Sequence, residues 1–433
     1  MNIDTMNIET SINLGKHDKL VKNLKVFLVG GAIRDELLGL PVKERDWVVV
    51  GSSENEMLSL GFQKVGKDFP VFIHPSTGEE YALARTERKT AKGYYGFSCD
   101  FSSNVTLEQD LFRRDLTINA MARDLEGNLI DPCNGYTDLR NKILKHVSPA
   151  FIEDPIRILR AARFAANFCQ QGFSIAEETI HLMKIIVNNH ELECVTPERV
   201  WKEIEKALQT SNPEEFFIVL RLVGALDYIF PELNKLYGIP QNPVWHPEID
   251  TWIHTMLALK QAVKFSKNLK IRFAVLCHDL GKGATDPNIL PKHHGHEQRG
   301  VNLITHWCNR FKVPNAYKKL AIKVAKWHLH SHKAFELNPK TILKLFLSLD
   351  AFRNPTILED FLIACKADAT GREGKQDLEY LPKDFLMKVF KIVSNIKPQA
   401  FIAKGLVGIK LGEAIRKFQL KLIAEFKKNL TIN

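Results

Sequence analysis

The sequence predicts an α+β protein: a small mixed β-sheet region, an all-helical stretch after it, and a second helical region rich in histidine. Three observations carry this. Short apolar runs ending in glycine, KVFLVG and DWVVVG, alternate with helical segments between Lys25 and about His146. From about Ser148 apolar residues recur at helical spacing, beginning with EDPIRILRAARFAANF. Histidines then crowd between His246 and His332, in a chain that carries 15 of them.

Taken in order, KVFLVG reads as a buried strand, DELLGL as a helix and DWVVVG as a second strand. FPVFIHP and EEYALAR continue the strand pattern. TPERVWKEIEKALQT and PEEFFIVLRLVGALDYIF extend the helical one. Prolines at 240, 243 and 247 mark a boundary, and helices dominate from there to a basic C-terminus.

Composition limits the function. The chain has 433 residues, room for two to four domains of roughly 100–200 residues each. With 45% hydrophobic and 25% charged residues, its core needs no metal or disulfide to fold. A net charge of +10 favours a polyanionic partner, because Lys and Arg neutralise phosphates and release counterions. Seven scattered cysteines without a CxxC pair argue against a disulfide framework and fit a reducing, cytoplasmic setting. No apolar run reaches about 18 residues, so no membrane span or membrane partner is expected. The first 24 residues lack a signal-peptide core and are expected to be poorly ordered; their repeated MNI(D/E)T makes Met6 a candidate start.

Four segments carry phosphoryl-transfer chemistry. In LVGGAIRDELLGL a strand runs into Gly30-Gly31 and then a helix, a turn whose backbone amides can approach phosphate, with Arg34 in the first helical turn. No GxGxxG or GxxxxGK[ST] occurs, which excludes the Rossmann and P-loop readings. In KERDWVVVG, Glu44 and Asp46 stand two apart at a strand start, on one face, as suits Mg²⁺ held jointly by protein and triphosphate. LFRRDLTINA is expected to place Arg113, Arg114, Asp115 and Asn119 within two helical turns. In EDPIRILRAARFA, Asp154 precedes a proline suited to the first helical position, and Arg157, Arg160 and Arg163 follow at three-residue steps. Each segment alone also has a purely structural reading: a tight turn, a solvated acidic pair, a capped helix with surface arginines, an N-cap.

Together, in this order and spacing, the four segments resemble the superfamily of class II CCA-adding enzymes and bacterial poly(A) polymerases, over about Lys25 to Phe168. The resemblance implies a nucleotidyltransferase palm in which Gly31 and Arg34 bind the triphosphate and Glu44 and Asp46 hold catalytic Mg²⁺. It implies that Arg114, Arg160 and Arg163 contact nucleotide, and it aligns Glu80 with a strand carboxylate that assists the metal site. The family pair is usually Asp-x-Asp, so Glu44 is a departure. It remains a hard oxygen ligand, one methylene longer. The resemblance also gives Asp154 and Arg157 a use, a protein template that chooses the base. A carboxylate accepts from an exocyclic amino group, and a guanidinium donates to an unprotonated ring nitrogen. Cytosine and adenine offer that pair. Uracil and guanine present a carbonyl and a ring N–H, and each buried mismatch costs about 1–3 kcal/mol.

In the histidine-rich region, VLCHDLGKG places His278 and Asp279 at the end of an apolar helix. His254 lies one helix earlier, KHHGHE adds His296, AKWH adds His328, and Asp368 sits in ACKADATGR. Imidazoles and carboxylates gathered from separate helices suit a divalent transition metal with one position open for water. A lone histidine on an apolar helix is more often a core residue. The order H…HD…H…D, with Lys282 in HDLGKG, resembles the HD phosphohydrolase superfamily from about Thr251 to Asp368, with His254, His278, Asp279, His328 and Asp368 as metal ligands.

The two modules together resemble the HD-containing CCA-adding proteins of gammaproteobacteria. KERDWVVVGS and WHPEID extend that match to nearly the whole chain after Lys25. The resemblance implies CCA addition to tRNA from CTP and ATP, with 2′,3′-cyclic phosphodiesterase, 2′-nucleotidase and phosphatase activities supported by Ni²⁺ or another divalent transition metal. The domain reading is an N-terminal extension (1–24), a nucleotidyltransferase palm (25–147), a helical neck and body that selects nucleotide and binds the tRNA acceptor arm (148–240), an HD domain (241–370) and a helical tail (371–433). Monomer and homodimer stay open. So do a poly(A) polymerase and an HD hydrolase whose N-terminal half only binds RNA.

Overall fold

The computed structural model describes residues 18–66, 70–89 and 97–430. They divide into two compact units: the chain up to Glu203 together with Glu215–Tyr228, and Ile204–Glu214 together with Ile229 onward. These units are coarser than the five segments read from the sequence.

Unit 1 is built on a mixed sheet. Its elements begin β1 (Lys25–Val29), α1 (Gly31–Leu37), β2 (Asp46–Val50), β3 (Gln63–Val65), β4 (Val71–Ile73) and β5 (Glu80–Leu83). They continue with β6 (Thr86–Lys89), β7 (Phe97–Asp100), α2 (Leu107–Phe112), β8 (Ala122–Arg123) and β9 (Leu129–Ile130). Seven strands run in the order β3-β4-β5-β2-β1-β8-β9, while β6 and β7 form a separate hairpin. Every neighbour is antiparallel except β2 and β5, which are parallel. The alternation of β2 explains its two faces. Val48 packs with Val29, Leu107, Leu111 and Ala122, while Trp47 on the other face stacks on Tyr81. Asp46, on the face of Val48, sits at the strand start where that core gives out. After the sheet come the helices α3 (Ile156–Phe168) and α4 (Pro197–Gln209), the latter lending its first residues to this unit.

Two expectations are corrected here. Residues 18–24 were expected to be poorly ordered, yet Val21 is fully buried and the Asp18 carboxylate meets His74 Nε2 at 2.8 Å; residues 1–17 lie outside the described residues, as do Asp68 and Phe69. The LFRRDLTINA segment is not two continuous helical turns. The helix α2 ends at Phe112, Leu116 is extended, and Thr117–Asn119 is a 3₁₀ turn. The reason is pairing: Leu116 bridges His146 antiparallel, the Thr117 amide donates to the Lys145 carbonyl and the Val147 amide to the Asp115 carbonyl, while the Leu116 amide donates to the Asp115 side chain. Asp115 and Asn119 face inward at 6% exposure each, and Leu116 and Ile118 are fully buried.

Unit 2 is helical. Its centre comprises α5 (Thr251–Phe265), α6 (Leu269–Cys277), α7 (His296–Arg310), α8 (Asn315–His332) and α9 (Thr356–Thr370). Asp250 caps α5 by accepting from the Trp252 and Ile253 amides, and Asn268 caps α6 through the Lys270 amide. The helix α6 is buried from Ile271 to Cys277 and packs against α5, α8 and α9. A 3₁₀ turn, Leu280–Ala284, follows it and lies against α7. Only glycine fits at 281, since a Cβ there would sit 1.9 Å from the His296 carbonyl oxygen. That close approach fixes the His278-Asp279 end of α6 beside the start of α7. Fully buried Trp307 on α7 stacks on Phe230 at 4.1 Å and donates to the Ile229 carbonyl.

Candidate active sites

The first site lies in unit 1, around a cavity of about 570 Å³. Register places its carboxylates. Asp46 pairs with Glu80 across the parallel β2–β5 ladder and with Val29 across the antiparallel β1–β2 ladder. The glycine turn after Val29 therefore lies beside Asp46. Gly30 adopts φ 73°, and a Cβ there would meet the Arg114 guanidinium at 2.9 Å. Glu44 stands just before β2, and it, Asp46, Gly31 and Arg34 line the cavity. Desolvation raises the Asp46 pKa, the Glu80 and Glu44 carboxylates push the same way, and Arg114 opposes them. Carboxylates that repel one another at a cavity rim are what a hard divalent cation relieves.

The arginines of this cavity are held by acids or carbonyls. Fully buried Asp110 binds Arg113 at 2.7 Å and Arg114 at 3.0 Å. Arg113 also bonds Glu87 at 3.0 Å. Arg34 donates to Asn119 Oδ1 at 2.6 Å and lies over the rings of Phe164 and Phe168. Arg160 pairs with Asp115 at 2.6 Å, and Arg163 with Glu203 at 2.6 Å. Burial alone would raise Asp115, but Arg160, Asn119 and the Leu116 amide hold its carboxyl well below the usual range. Asp154 accepts from the Ile156 amide at 3.3 Å, as an N-cap would, and from Arg199 at 2.9 Å. Arg157 donates to the carbonyls of Ala150 at 3.0 Å and Arg113 at 2.5 Å. Every nucleotide-site residue named from the sequence thus lines one cavity. Sequence reading missed Asp110, Glu87, Arg199 and Glu203 as supports. Three had a local signal: Asp110 lies three and four residues before Arg113 and Arg114, and Arg199 and Glu203 share a helix face four apart.

The second site lies in unit 2 and is buried. His254, His278, Asp279, His328 and Asp368 are each at most 3% exposed, and His296 is 4% exposed. Four imidazoles follow one rule: Nδ1 is tied outward and Nε2 faces the centre. The Nδ1 partners are hydrogen-bonding carbonyls for three, Val275 at 2.7 Å for His278, His293 at 2.8 Å for His296, and Val324 and Ala325 at 3.1 Å for His328, and an ion-pair contact with the Glu248 carboxylate at 2.9 Å for His254. An acceptor at Nδ1 holds the proton there and leaves the Nε2 lone pair for a metal. Asp279 spans the cluster. Its Oδ2 is 3.2 Å from His278 Nε2 and 3.9 Å from His254 Nε2, while its Oδ1 is 3.4 Å from His296 Nε2 and 3.6 Å from His328 Nε2. Asp368 Oδ1 approaches His254 Nε2 at 3.1 Å, and its Oδ2 meets His332 Nε2 at 2.7 Å.

Two Nε2 atoms, of His296 and His328, stand 3.5 Å apart, and Asp279 Oδ1 has no hydrogen-bond partner among the described residues. Facing lone pairs and an orphaned carboxylate oxygen fit a cation. Burial alone would lower His278, but the Asp279 and Asp368 carboxylates raise it to about 10, so its Nε2 holds a proton that a bound cation would displace, while burial takes His328 down to about 3. All five ligands named from the sequence, and His296 with them, converge here. Missed were Glu248, His246 and His332; Glu248 and His246 sit in WHPEID, just ahead of the helix carrying His254. The groups of His, Asp and Glu with ligand atoms within 4.8 Å of one another all belong to unit 2 among the described residues. The Glu44–Asp46–Glu80 set is looser and would share its ion with substrate phosphate oxygens. Among the described residues no helix is long and apolar enough to cross a membrane.

The family profile of the poly A polymerase head domain matches residues 26–145. That described as a probable RNA and SrmB-binding site of polymerase A matches residues 172–236, and the HD domain matches residues 251–370. Head and HD domain together imply dependence on divalent metal. The chain is 55% identical over 404 residues to the multifunctional CCA protein of Thioalkalivibrio sulfidiphilus, covering 93% of this chain and 99% of that one. It is 52% identical over 403 residues to that of Hahella chejuensis, covering 93% and 96%. Among solved structures, the CCA-adding enzyme of Thermotoga maritima complexed with a CCA-ending tRNA aligns with a TM-score of 0.59 at 21% identity, covering 95% of this chain and 89% of that one. The glycine turn with Glu44 and Asp46 falls within the head-domain match and the buried histidine cluster within the HD-domain match, and the chain belongs to the family of multifunctional CCA proteins, in which a CCA-adding nucleotidyltransferase is joined to an HD domain.

Proposed function

We propose that unit 1 completes and repairs the 3′-terminal CCA of tRNA from CTP and ATP, without a nucleic-acid template, and that unit 2 hydrolyses phosphate esters. The observation that carries the first part is the register that sets Asp46 beside Glu80 and beside the Gly30-Gly31 turn, at the mouth of an arginine-lined cavity. Glu44, Asp46 and Glu80 would hold Mg²⁺. When bound, Mg²⁺ favours ionisation of the primer 3′-hydroxyl and neutralises charge on the triphosphate. The 3′-oxygen forms a bond to the α-phosphorus, the bond from that phosphorus to the bridging oxygen breaks, and pyrophosphate leaves. Arg34 and Arg114 take the triphosphate charge; Arg160 and Arg163 orient the nucleotide. Asp154 and Arg157 choose the base. Both keep capacity for this: a carboxylate accepts about four hydrogen bonds, and the Arg157 guanidinium has five N–H groups, of which two are engaged. The tRNA-bound relative from Thermotoga supports a tRNA acceptor arm as the primer. The basic helices between 148 and 240 would cradle that arm by shape and phosphate contacts.

In unit 2, His254, His278, Asp279, His328 and Asp368, with His296, would hold Ni²⁺ or another divalent transition metal, which when bound makes water a nucleophile near neutral pH. In 2′,3′-cyclic phosphodiesterase action the water oxygen bonds to phosphorus, one ribose P–O bond breaks, and that ribose oxygen takes the proton. Phosphatase and 2′-nucleotidase action follow the same course on monoesters. The five sequence segments stand as the domain division, and the setting is the cytoplasm. The test uses tRNA lacking its last residues, offered CTP and ATP separately and together. One or two C residues and then a single A are expected. Unending addition of A would instead assign the chain to poly(A) polymerases, and no addition at all would refute the transferase reading.

A further inference from the structure

Beside the histidine cluster, unit 2 holds a cavity of about 890 Å³, within the size range of small-molecule sites. We infer that it is a nucleoside-phosphate subsite in which Gln241, Lys282 and Arg372 grip the phosphate and Trp245 carries the base. This rests on the hydrolase reading of unit 2 and assigns the residues that would recognise its ligand.

Gln241 is the most telling residue. It is 2% exposed, lines the cavity, and its Oε1 accepts from Lys282 Nζ at 2.6 Å. Its Nε2 is buried without a hydrogen-bond partner among the described residues. A buried donor is rarely left unmet in a folded protein, and one that lines a cavity is met by what occupies it, water or ligand. Lys282 also contacts Asp279 at 2.6 Å, so the Gln241–Lys282 pair joins the cavity directly to the metal-binding carboxylate. Arg372 repeats the pattern, for its Nε is buried and also unmet among the described residues. The chain carrying it is fixed, since a Cβ at Gly371 would sit 2.4 Å from the Ala258 Cα on α5.

The lining as a whole favours an anion. Five cations, Lys282, Lys292, Lys333, Arg372 and Lys375, stand against three acids, Glu297, Glu336 and Glu379. Trp245 supplies the other half of a nucleotide. It is 61% exposed yet lines the same cavity, next in sequence to His246 of the cluster. Its backbone is held by a turn in which the Trp245 and His246 amides both donate to the Asn242 carbonyl. A single exposed apolar ring is ordinary. One that shares a polar cavity with two unmet donors and a metal site has the makings of a base platform, because every nucleobase presents a π-face. The ligand can arrive as a free nucleotide or as the end of an RNA; the recognised chemistry is the same.

The test compares full-length wild type with Trp245→Ala, Gln241→Ala and Arg372→Ala, loaded with Ni²⁺. Two esters share a five-membered cyclic phosphate: adenosine 2′,3′-cyclic phosphate, and glycerol 1,2-cyclic phosphate, which lacks a base. Trp245→Ala should raise KM for the adenosine ester about tenfold and for the glycerol ester less than about twofold. Gln241→Ala and Arg372→Ala should raise KM for both. With metal chelated, calorimetric titration of adenosine 2′-monophosphate should show the same weakening for Trp245→Ala. A short RNA ending in a cyclic phosphate identifies the source. If Trp245→Ala impairs its hydrolysis, the subsite takes RNA ends; if only the mononucleotide is impaired, it takes free nucleotides. Equal effects of Trp245→Ala on the two small esters, or none on either, overturn the proposal. If wild type hydrolyses neither ester but binds adenosine 2′-monophosphate in a Trp245-dependent way, the hydrolase reading falls and the subsite stands. Absence of both hydrolysis and binding overturns the subsite.

Discussion

The two centres handle charge in opposite ways. In unit 1 the carboxylates proposed to hold metal are exposed, Glu44 and Asp46 on the cavity lining and Glu80 beside Asp46 on the next strand, and the surrounding arginines are each tied to an acid, an amide or a carbonyl. In unit 2 the six residues proposed as ligands are at most 4% exposed, and their Nε2 atoms and carboxylates face one another. On the proposed reading the first is an incomplete shell, completed by a substrate that brings its own phosphate oxygens. The second is then a cage whose protein ligands are already assembled. A site that must release a polyanion at each turnover is better left half-built. A site that keeps its ion can be closed, with the imidazoles locked by outward hydrogen bonds.

The sharpest way to break this comparison is reciprocal substitution. Asp46→Asn should lower nucleotide incorporation about a thousandfold, as expected for losing several kcal/mol of charge stabilisation, and leave ester hydrolysis intact. Asp279→Asn should do the reverse and empty the metal site by elemental analysis. If either variant disables both activities, the centres are not independent. A smaller effect tests the cage. Glu248 touches no proposed substrate but holds His254 Nδ1 at 2.9 Å. Glu248→Gln should weaken transition-metal affinity about 10–100-fold in a chelator competition, with incorporation unchanged.

Next comes pH. The folded-state pKa of Asp115 is depressed, so its contribution to stability is complete above its unfolded value, about 3.9, and is lost as pH falls through the folded value. Urea midpoints measured between pH 5 and pH 3 should therefore fall more steeply for wild type than for Asp115→Asn. Parallel slopes would show that the Asp115–Arg160 pair does not stabilise unit 1. The smallest effect is expected for Glu44→Asp, which restores the usual family residue. Incorporation should stay within about threefold, with the Mg²⁺ optimum shifted, because both side chains offer hard oxygens and differ by one methylene. A larger loss would mean the surrounding register is fitted to the longer side chain.

What the sequence determined by itself was local. The acidic pair Glu44 and Asp46 was legible from its spacing, and both line the cavity, although only Asp46 lies in the strand. A cap followed by arginines along a helix showed Asp154 with Arg157, and an apolar helix ending in His-Asp marked the second centre. The helical reading of LFRRDLTINA failed because Asp115, Leu116 and Thr117 pair with the backbone of 145–147, a partner that lies about 30 residues away and interrupts the helix. Tertiary structure alone decided the partners that hold those groups. Glu80 reaches Asp46 through a parallel pairing that no short-range pattern encodes. Arg199 meets Asp154 across 45 residues, and His332 meets Asp368 across 36. The same holds for which imidazole nitrogen faces the centre, since that depends on carbonyls and carboxylates brought up by neighbouring turns. Periodicity fixes which way a side chain points from its own backbone, but what waits there is set by how the strands and helices close on one another.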